Sequence, residues 1–235
     1  SNISIYFEAP RLRRNVLPAI NLMDRYPESK RPILERADTI TEQHREVARR
    51  FGEEFFDGER LYGYGGYSYH PRFWQETVKR FKDHYCLEEE SSILDVGCAK
   101  GFMLHDFREL MPKSNLSGID ISEYAINNSI ESVKPFLQVA DAKDLPFDDN
   151  SFDLVISITT VHNLILDDCK QALKEIQRVS RKHSFVTVDA WRNDEQRRSM
   201  SMWNLTALTA MHVEEWESLF QEIGYRGDYY WFIAE

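Results

Sequence analysis

The sequence has no long apolar run and few cysteines, and each absence excludes a class of protein. No stretch approaches the roughly 20 consecutive apolar residues of a membrane-spanning helix, which excludes a membrane span. The three cysteines, Cys86, Cys98 and Cys169, show neither Cys-x-x-Cys nor Cys/His spacing, which argues against a zinc site and a disulfide scaffold. This cysteine pattern fits the reducing cytoplasm, and we expect that no signal peptide opens the sequence.

Positive charge is also scarce. Lys and Arg number 29 against 39 Asp and Glu, which gives a formal net charge of −10. A surface of this sign repels polyphosphate unless basic residues are concentrated at one place. We therefore expect no nucleic-acid partner. The oligomeric state stays open.

Residues 91–235 alternate apolar strands with amphipathic helices, which predicts an α/β fold with a doubly wound, mostly parallel sheet flanked by helices. The segment 141–151 is rich in Pro and Asp and predicts a loop. Residues 190–212 interrupt the alternation, either to contact a substrate or as an extra surface helix. The predicted strands are 93–97, 116–120, 136–139, 152–157 and 184–189. The predicted helices lie near 102–111, 122–132, 168–180 and 213–224.

Residues 1–90 lack the strand–helix alternation of residues 91–235, and their pattern predicts an α-helical N-terminal extension. The stretches "ILERADTITEQHREVARRF" and "PRFWQETVKRFKDHY" both have helical apolar spacing. Between them, residues 62–69 interleave tyrosines with Gly63, Gly65 and Gly66. Glycine permits hinge conformations and tyrosine supplies contact area, so this run is a candidate lid, with a packed hairpin as the alternative. We divide the chain into residues 1–90 and residues 91–235.

A glycine-containing turn, "DVGCAKG" at 95–101, follows the first predicted strand and precedes a helix. Such a turn lets the backbone approach a ligand, and the next helix offers free N–H groups, so a nucleotide-type ligand is expected. A dinucleotide fingerprint places glycines at positions one, three and six, where this sequence has Gly97, Ala99 and Phe102. This pattern disfavours nicotinamide or flavin binding.

The turn resembles the first motif of class I S-adenosylmethionine-dependent methyltransferases, and three later segments agree in order: "SGIDIS", "VADAKDLPF" and "NSFDLVIS". The resemblance implies a Rossmann-like fold and S-adenosyl-L-methionine as the cofactor, with S-adenosyl-L-homocysteine as the product. It also implies that Asp120 holds the ribose hydroxyls, that Ile121 lies against adenine, and that Asp141 and Ala142 read the adenine amino edge. The implied cofactor residues are Asp95, Gly97, Cys98, Ala99, Gly101, Asp120, Ile121, Asp141, Ala142 and Ser157.

The sequence departs from the family pattern in two places. Ala99 replaces the middle glycine, which is tolerated if its Cβ points away from the cofactor. Only one strand follows the last helix, where the family closes with an antiparallel pair. Either the chain is cut short or an element of the 190–212 insertion takes that place.

His162 follows the fourth strand and is the candidate catalytic base, because histidine can accept a proton near neutral pH; a helix-start hydrogen bond is the alternative. No carboxylate stands in "SITTVHN", so we expect no metal. The motif of enzymes that methylate base amines is missing, which favours a small-molecule acceptor. Arg72 and Arg192 would suit an acceptor with carboxylate or phosphate. The candidate substrate residues are Tyr64, Tyr67, Tyr69, Arg72, Trp74, Asn163, Trp191 and Arg192.

The resemblance implies a methyltransferase that acts on an O or N atom of a small metabolite, such as a sugar or a peptide-like intermediate. The alternative is a methyltransferase-like binding or activator subunit without catalysis. A nucleotide-dependent oxidoreductase on the same topology is a third interpretation, and Phe102 counts against it.

Overall fold

A computed structural model of the protein describes residues 17–28, 31–65 and 67–235. Its centre is a seven-stranded sheet of order β3-β2-β1-β4-β5-β6, with β7 also paired to β5. Every strand pairing among the described residues is parallel. The predicted doubly wound, Rossmann-like fold is confirmed. The strands are β1 (Ser92–Val96), β2 (Asn115–Asp120), β3 (Leu137–Val139), β4 (Phe152–Ile158), β5 (Ser180–Trp191), β6 (Met211–His212) and β7 (Asp228–Phe232).

Both faces of the sheet are covered by helices, as its continuous apolar strands require. The helices are α1 (Ile33–Thr39), α2 (Glu42–Ala48), α3 (Glu53–Phe56), α4 (Gln75–Tyr85), α5 (Phe102–Leu110), α6 (Glu123–Asn127), α7 (Leu166–Val179), α8 (Asp194–Trp203) and α9 (Val213–Ile223). Val155 packs in one core cluster with Trp216 of α9, whereas its neighbour Leu154 packs in the other with Phe81 of α4 and Phe107 of α5. No helix among the described residues is long and apolar enough to cross a bilayer.

Three predicted helices are shorter in the structure, and the one expected over 71–85 begins only at Gln75. The helix expected over residues 33–51 is broken after α1, because Ile40 is extended and Thr41 caps α2 instead. The helix expected over 122–132 ends at Asn127, where Asn128 and Ser129 follow. Asn and Ser favour caps and turns over helix interiors, which explains the early end.

The 190–212 insertion supplies both a helix and a strand. It contains α8 and the two-residue β6, which pairs with the end of β5. An element of the insertion thus lies at the sheet edge, although it runs parallel and not antiparallel. The predicted strand 184–189 is the middle of a longer β5, which reaches Trp191.

The N-terminal segment comprises the described residues before β1. It packs against the strand ends of the sheet and is hydrogen-bonded to them. The Lys100 ammonium donates to both Asp57 carboxylate oxygens, at 2.6 and 2.7 Å. The Tyr64 hydroxyl accepts from the Leu205 amide at 2.6 Å, which joins this segment to the insertion. The segment therefore covers the edge of the sheet at which parallel strands bind ligands. The division of the chain at residue 90 stays a prediction.

Candidate functional site

A cavity of roughly 1130 Å³ lies between the C-terminal strand ends and the N-terminal segment. Single small-molecule pockets are typically about 300–1,000 Å³. Residues that follow β1, β2, β3 and β4 border the cavity, together with Thr187 and Asp189 inside β5 and residues of the insertion. At roughly 1130 Å³, the cavity has room for a cofactor and a second ligand.

The turn after β1 has the strained geometry that its glycines allow. Gly97 has φ +86°, and an added Cβ would overlap the Thr160 side chain after β4. Gly101 also has positive φ and begins α5 against Val133 and Leu137. Gly97 thus brings bare backbone to the cavity edge, and Gly101 lets the start of α5 pack closely against the core.

Ala99 adopts the left-handed conformation with φ +48°. It packs against the apolar cluster of the N-terminal segment that contains Phe55 and Phe56. The methyl group therefore has a packing partner of its own. Its amide N–H donates to Asp120, which fixes the turn.

The Asp120 carboxylate ends β2 and is 8% exposed. Its Oδ2 accepts from the Ala99 amide and its Oδ1 from the Ser122 amide, each at 2.8 Å. Each carboxylate oxygen can accept a second hydrogen bond, so capacity for a ligand's hydroxyl donors remains. Burial raises the pKa of Asp120, while these backbone donors lower it.

Asp95, at the end of β1, is 4% exposed and borders the same cavity. Its carboxyl group has no hydrogen-bond partner among the described residues. Burial, followed by the charge of Asp120, raises the pKa of Asp95 to about 8. A buried, unpartnered carboxyl group fits a cationic or hydrogen-bond-donating ligand, and S-adenosylmethionine carries both an ammonium and a sulfonium charge.

Most of the predicted cofactor residues meet at this cavity. Those that border it are Asp95, Gly97, Cys98, Ala99, Asp120, Ile121, Asp141 and Ala142. Ile121 is 57% exposed there, an apolar surface open to a planar ligand. Gly101 and Ser157 are not among the lining residues: Gly101 packs into the core, and Ser157 is fully buried and donates to the Val96 carbonyl at 2.9 Å.

His162 borders the cavity from the 3₁₀ turn after β4 and is 4% exposed. Its Nδ1 accepts from the Asp189 amide at 2.9 Å. That bond uses the lone pair of Nδ1, so the proton of the neutral ring belongs on Nε2. Burial lowers the pKa of His162 to about 3, which keeps the ring neutral. In this arrangement the ring offers a donor, and accepting a proton would require the other tautomer.

The predicted substrate residues divide into two groups. Tyr64, Tyr67, Arg72, Trp74 and Asn163 border the cavity. Tyr69, Trp191 and Arg192 do not. The Tyr69 hydroxyl donates to Asp106 of α5 at 2.7 Å, and the backbone of Arg192 is bonded to Gln196 and His212.

The tyrosine-glycine run holds part of the N-terminal segment over the cavity. The Tyr67 carbonyl accepts from Lys100, and Tyr67 packs on Phe55 and Phe56. No strand forms over the described residues of the run, so the hairpin alternative is wrong there. Gly66 lies outside the described residues. That the run moves as a lid stays a prediction.

Several lining residues were not predicted from the sequence. They are Thr160 after β4, Thr206 and Leu208 of the insertion, and Arg31, Arg50 and Arg60 of the N-terminal segment. None belongs to a motif with fixed spacing, and the arginines come from three separate places in the chain. Only the folded chain brings them together. No group of three or more metal-ligating side chains occurs among the described residues; the expectation of no metal stays a prediction.

Comparisons with known proteins agree with this geometry. A family model described as a methyltransferase domain matches residues 94–188. The tRNA (carboxymethyluridine(34)-5-O)-methyltransferase of Arabidopsis thaliana is 35% identical over 132 residues, 55% of this chain and 31% of that protein. The mitochondrial arginine-hydroxylase NDUFAF5 of Rattus norvegicus is 39% identical over 88 residues, 37% of this chain and 24% of that protein.

Solved structures show the same fold. The YcgJ protein of Bacillus subtilis superposes with a TM-score of 0.51 at 19% identity, over 62% of this chain and 66% of that one. The chain spans less than a third of the length of the two curated relatives above. Residues 94–188 thus match a methyltransferase domain, and the sheet that they help to form has a Rossmann-like fold that YcgJ shares.

Proposed function

We propose that the protein transfers a methyl group from S-adenosylmethionine to an O or N atom of a small metabolite, such as a sugar or a peptide-like intermediate. The observation that carries the proposal is the buried Asp95 carboxyl group, which faces a glycine turn and Asp120 without a partner among the described residues. When bound, the donor supplies a methyl group on a sulfonium, and the acceptor's lone pair displaces the sulfur to leave S-adenosylhomocysteine.

The chain's own residues then align and shield the reactants. Asp120 would receive the ribose hydroxyls, Ile121 would lie against adenine, and Asp141 with Ala142 would face the adenine amino edge. Asp95 would face the charged methionine part. This placement follows the family motif residue by residue, and the strand ends that carry it border one cavity.

The acceptor would occupy the part of the cavity between His162 and the N-terminal segment. We propose that the Nε2–H group of His162 donates a hydrogen bond that positions the acceptor, because Nδ1 is already engaged with Asp189, and that the proton released on methylation passes to solvent. The role of His162 as a base stays the alternative. A small acceptor is favoured because the N-terminal segment and the insertion meet across the cavity at Tyr64 and Leu205.

Thermal unfolding tests the proposal directly. At a ligand concentration about 100 times the dissociation constant, a ligand that binds only the folded state should raise the midpoint by about 5–10 °C. We expect this from S-adenosylmethionine and S-adenosylhomocysteine but not from NAD. A response to NAD alone would favour the oxidoreductase interpretation. Donor binding without methyl transfer, after an acceptor screen that includes tRNA, would favour the non-catalytic subunit.

A further inference from the structure

Five arginines of the N-terminal segment border the cavity, and we call four of them the arginine cluster: Arg31, Arg50, Arg60 and Arg72. None of the four has a carboxylate within salt-bridge distance among the described residues. Two are stacked on rings. The Arg31 guanidinium lies 4.7 Å from the centroid of Phe232, and that of Arg72 lies 4.6 Å from the centroid of Phe73.

Other cations around the cavity are neutralised by neighbouring acids. Lys100 is paired with Asp57 at 2.6 Å, and Arg49 with Glu42 at 2.7 Å. Acids outnumber bases in this chain by 39 to 29, so acidic partners are abundant. Arg31 is attracted by the Glu28 carboxylate, which also borders the cavity, but no salt bridge among the described residues neutralises any of the four arginines. They therefore form a local positive region in an acidic protein.

A buried cation behind the cluster adds to this region. Arg36 of α1 is 7% exposed, and its guanidinium lies 4.8 Å from the Trp203 ring centroid and 5.1 Å from that of Tyr64. Its Nε has no hydrogen-bond partner. Trp203 and Tyr64 both border the cavity. The Arg36 charge is thus separated from the cavity by these two rings, and no carboxylate among the described residues forms a salt bridge with it.

We propose that the acceptor is a small molecule that carries a diphosphate-type polyanion, which the arginine cluster binds while the methylated atom points toward the strand ends. This inference rests on the proposed methyl transfer and names the chemical class of its acceptor. Guanidinium groups match phosphate oxygens with paired N–H donors, and several arginines suit a multiply charged group better than a single carboxylate.

Aromatic rings beside the cluster accommodate the uncharged part of such a molecule. Tyr26 and Trp74 pack edge to face at 4.9 Å and border the cavity next to Phe73. Rings of this kind stack on sugars or bases with little loss of side-chain freedom. A nucleoside diphosphate group combines both features, a polyanion and a planar ring.

The two ends of the cavity also carry opposite charge. Asp120 and Asp141 stand at the strand ends, where the cationic donor is expected, and Asp141 is also paired with Lys143 at 3.7 Å. A polyanion is repelled from Asp120 and attracted to the arginine cluster. The charge distribution therefore orients a polyanionic acceptor with its anionic group away from the transferred methyl.

Calorimetric binding of inorganic pyrophosphate to the full chain, at constant ionic strength, tests this proposal. We expect the double variant Arg60→Gln/Arg72→Gln to weaken binding at least about tenfold. Arg226→Gln is the matched control, because Arg226 is exposed at the opposite end of the sheet, before β7. It should bind pyrophosphate as the wild type does. Equal losses in the control and the double variant would overturn the proposal.

Three further ligands identify the source of the polyanion. UDP should bind more tightly than pyrophosphate, and citrate more weakly than either. A short single-stranded RNA that binds more tightly than UDP, with the same dependence on Arg60 and Arg72, would overturn the assignment to a small molecule.

Binding of S-adenosylhomocysteine distinguishes a failure of the acceptor class from a failure of the proposed methyl transfer. It should be unchanged in the double variant, which also shows that the variant is folded. If S-adenosylhomocysteine binds the wild type but pyrophosphate and UDP do not, the acceptor class is wrong and the methyltransferase proposal stands. If S-adenosylhomocysteine itself fails to bind, the proposed function fails.

Discussion

The two sides of the cavity carry opposite charge and come from different kinds of sequence. The carboxylate cluster of Asp95, Asp120 and Asp141 stands at consecutive strand ends of the sheet. The arginine cluster of Arg31, Arg50, Arg60 and Arg72 comes from the N-terminal segment. The sheet side thus suits a cationic donor common to a family, and the other side suits an acceptor particular to this chain.

The largest expected effect is the loss of donor binding in Asp120→Ala. Two hydrogen bonds from the ribose to a charged acceptor are worth about 3–6 kcal/mol, so the dissociation constant of S-adenosylhomocysteine should rise at least about 100-fold. Asp144→Ala, an exposed acid in the loop after β3, should bind normally. Calorimetry measures both. Normal binding by Asp120→Ala would remove the carboxylate cluster from the donor site.

The second prediction concerns the stability of the turn. Gly97→Ala should lower the free energy of unfolding by about 2–5 kcal/mol, because left-handed strain adds to overlap with Thr160. Gly224→Ala is the matched control, since its φ is +69° and an added Cβ meets nothing within 4 Å. It should cost only about 1–2 kcal/mol. Equal losses in urea unfolding would show that close approach to Thr160 does not matter.

The third prediction separates the two roles of His162. His162→Ala should lower kcat about 100-fold or more and change the dissociation constant of S-adenosylhomocysteine less than about threefold. His162→Gln keeps an N–H donor but no proton-accepting ring nitrogen, so it should recover much of the rate if the ring donates. A Gln variant as slow as the Ala variant would favour the base.

The smallest expected effect is the pH dependence of stability at Asp95. Its folded pKa of about 8 lies above that of an unfolded aspartate, so the folded state binds the proton more tightly. Stability from this group is therefore greatest at low pH and falls as pH rises toward 8.

Asp95→Asn removes that titration and should exceed the wild type in stability at pH 8 by at least about 1 kcal/mol. Asp189, whose pKa burial raises to about 7, contributes in the same direction in both proteins and cancels in the difference. Parallel urea titrations of the two proteins at pH 5 and pH 8 measure the difference between their free energies of unfolding. A constant gap at both pH values would contradict the raised pKa of Asp95.

The carboxylate side of the cavity was predictable from the sequence because each residue follows a strand that apolar patterning marks. Asp120 ends β2, and parallel strands bring their carboxyl ends to one edge. Gly101 and Ser157 are the exceptions: Gly101 packs into the core, and Ser157 faces the core inside β4, where Thr160 beyond the strand end borders the cavity instead. Strand alternation was not enough to tell which residue leaves the sheet.

The arginine side was not predictable, because it depends on long-range packing. Of its four members only Arg72 was proposed from the sequence; Arg192 was proposed with it, but the chain turns there into α8. Tyr69 was expected at the acceptor and instead contacts Asp106 of α5. Interleaved tyrosines and glycines indicate a covering segment but do not say which ring faces inward.

The most direct test of the two-sided cavity is thermal unfolding with S-adenosylhomocysteine, pyrophosphate, and both together. We expect each ligand to raise the midpoint and the pair to raise it further, since the two ligands occupy different ends of the cavity. Asp120→Ala should lose only the first response, and Arg60→Gln/Arg72→Gln only the second. Competition between the two ligands, or a folded wild type that responds to neither, would contradict it.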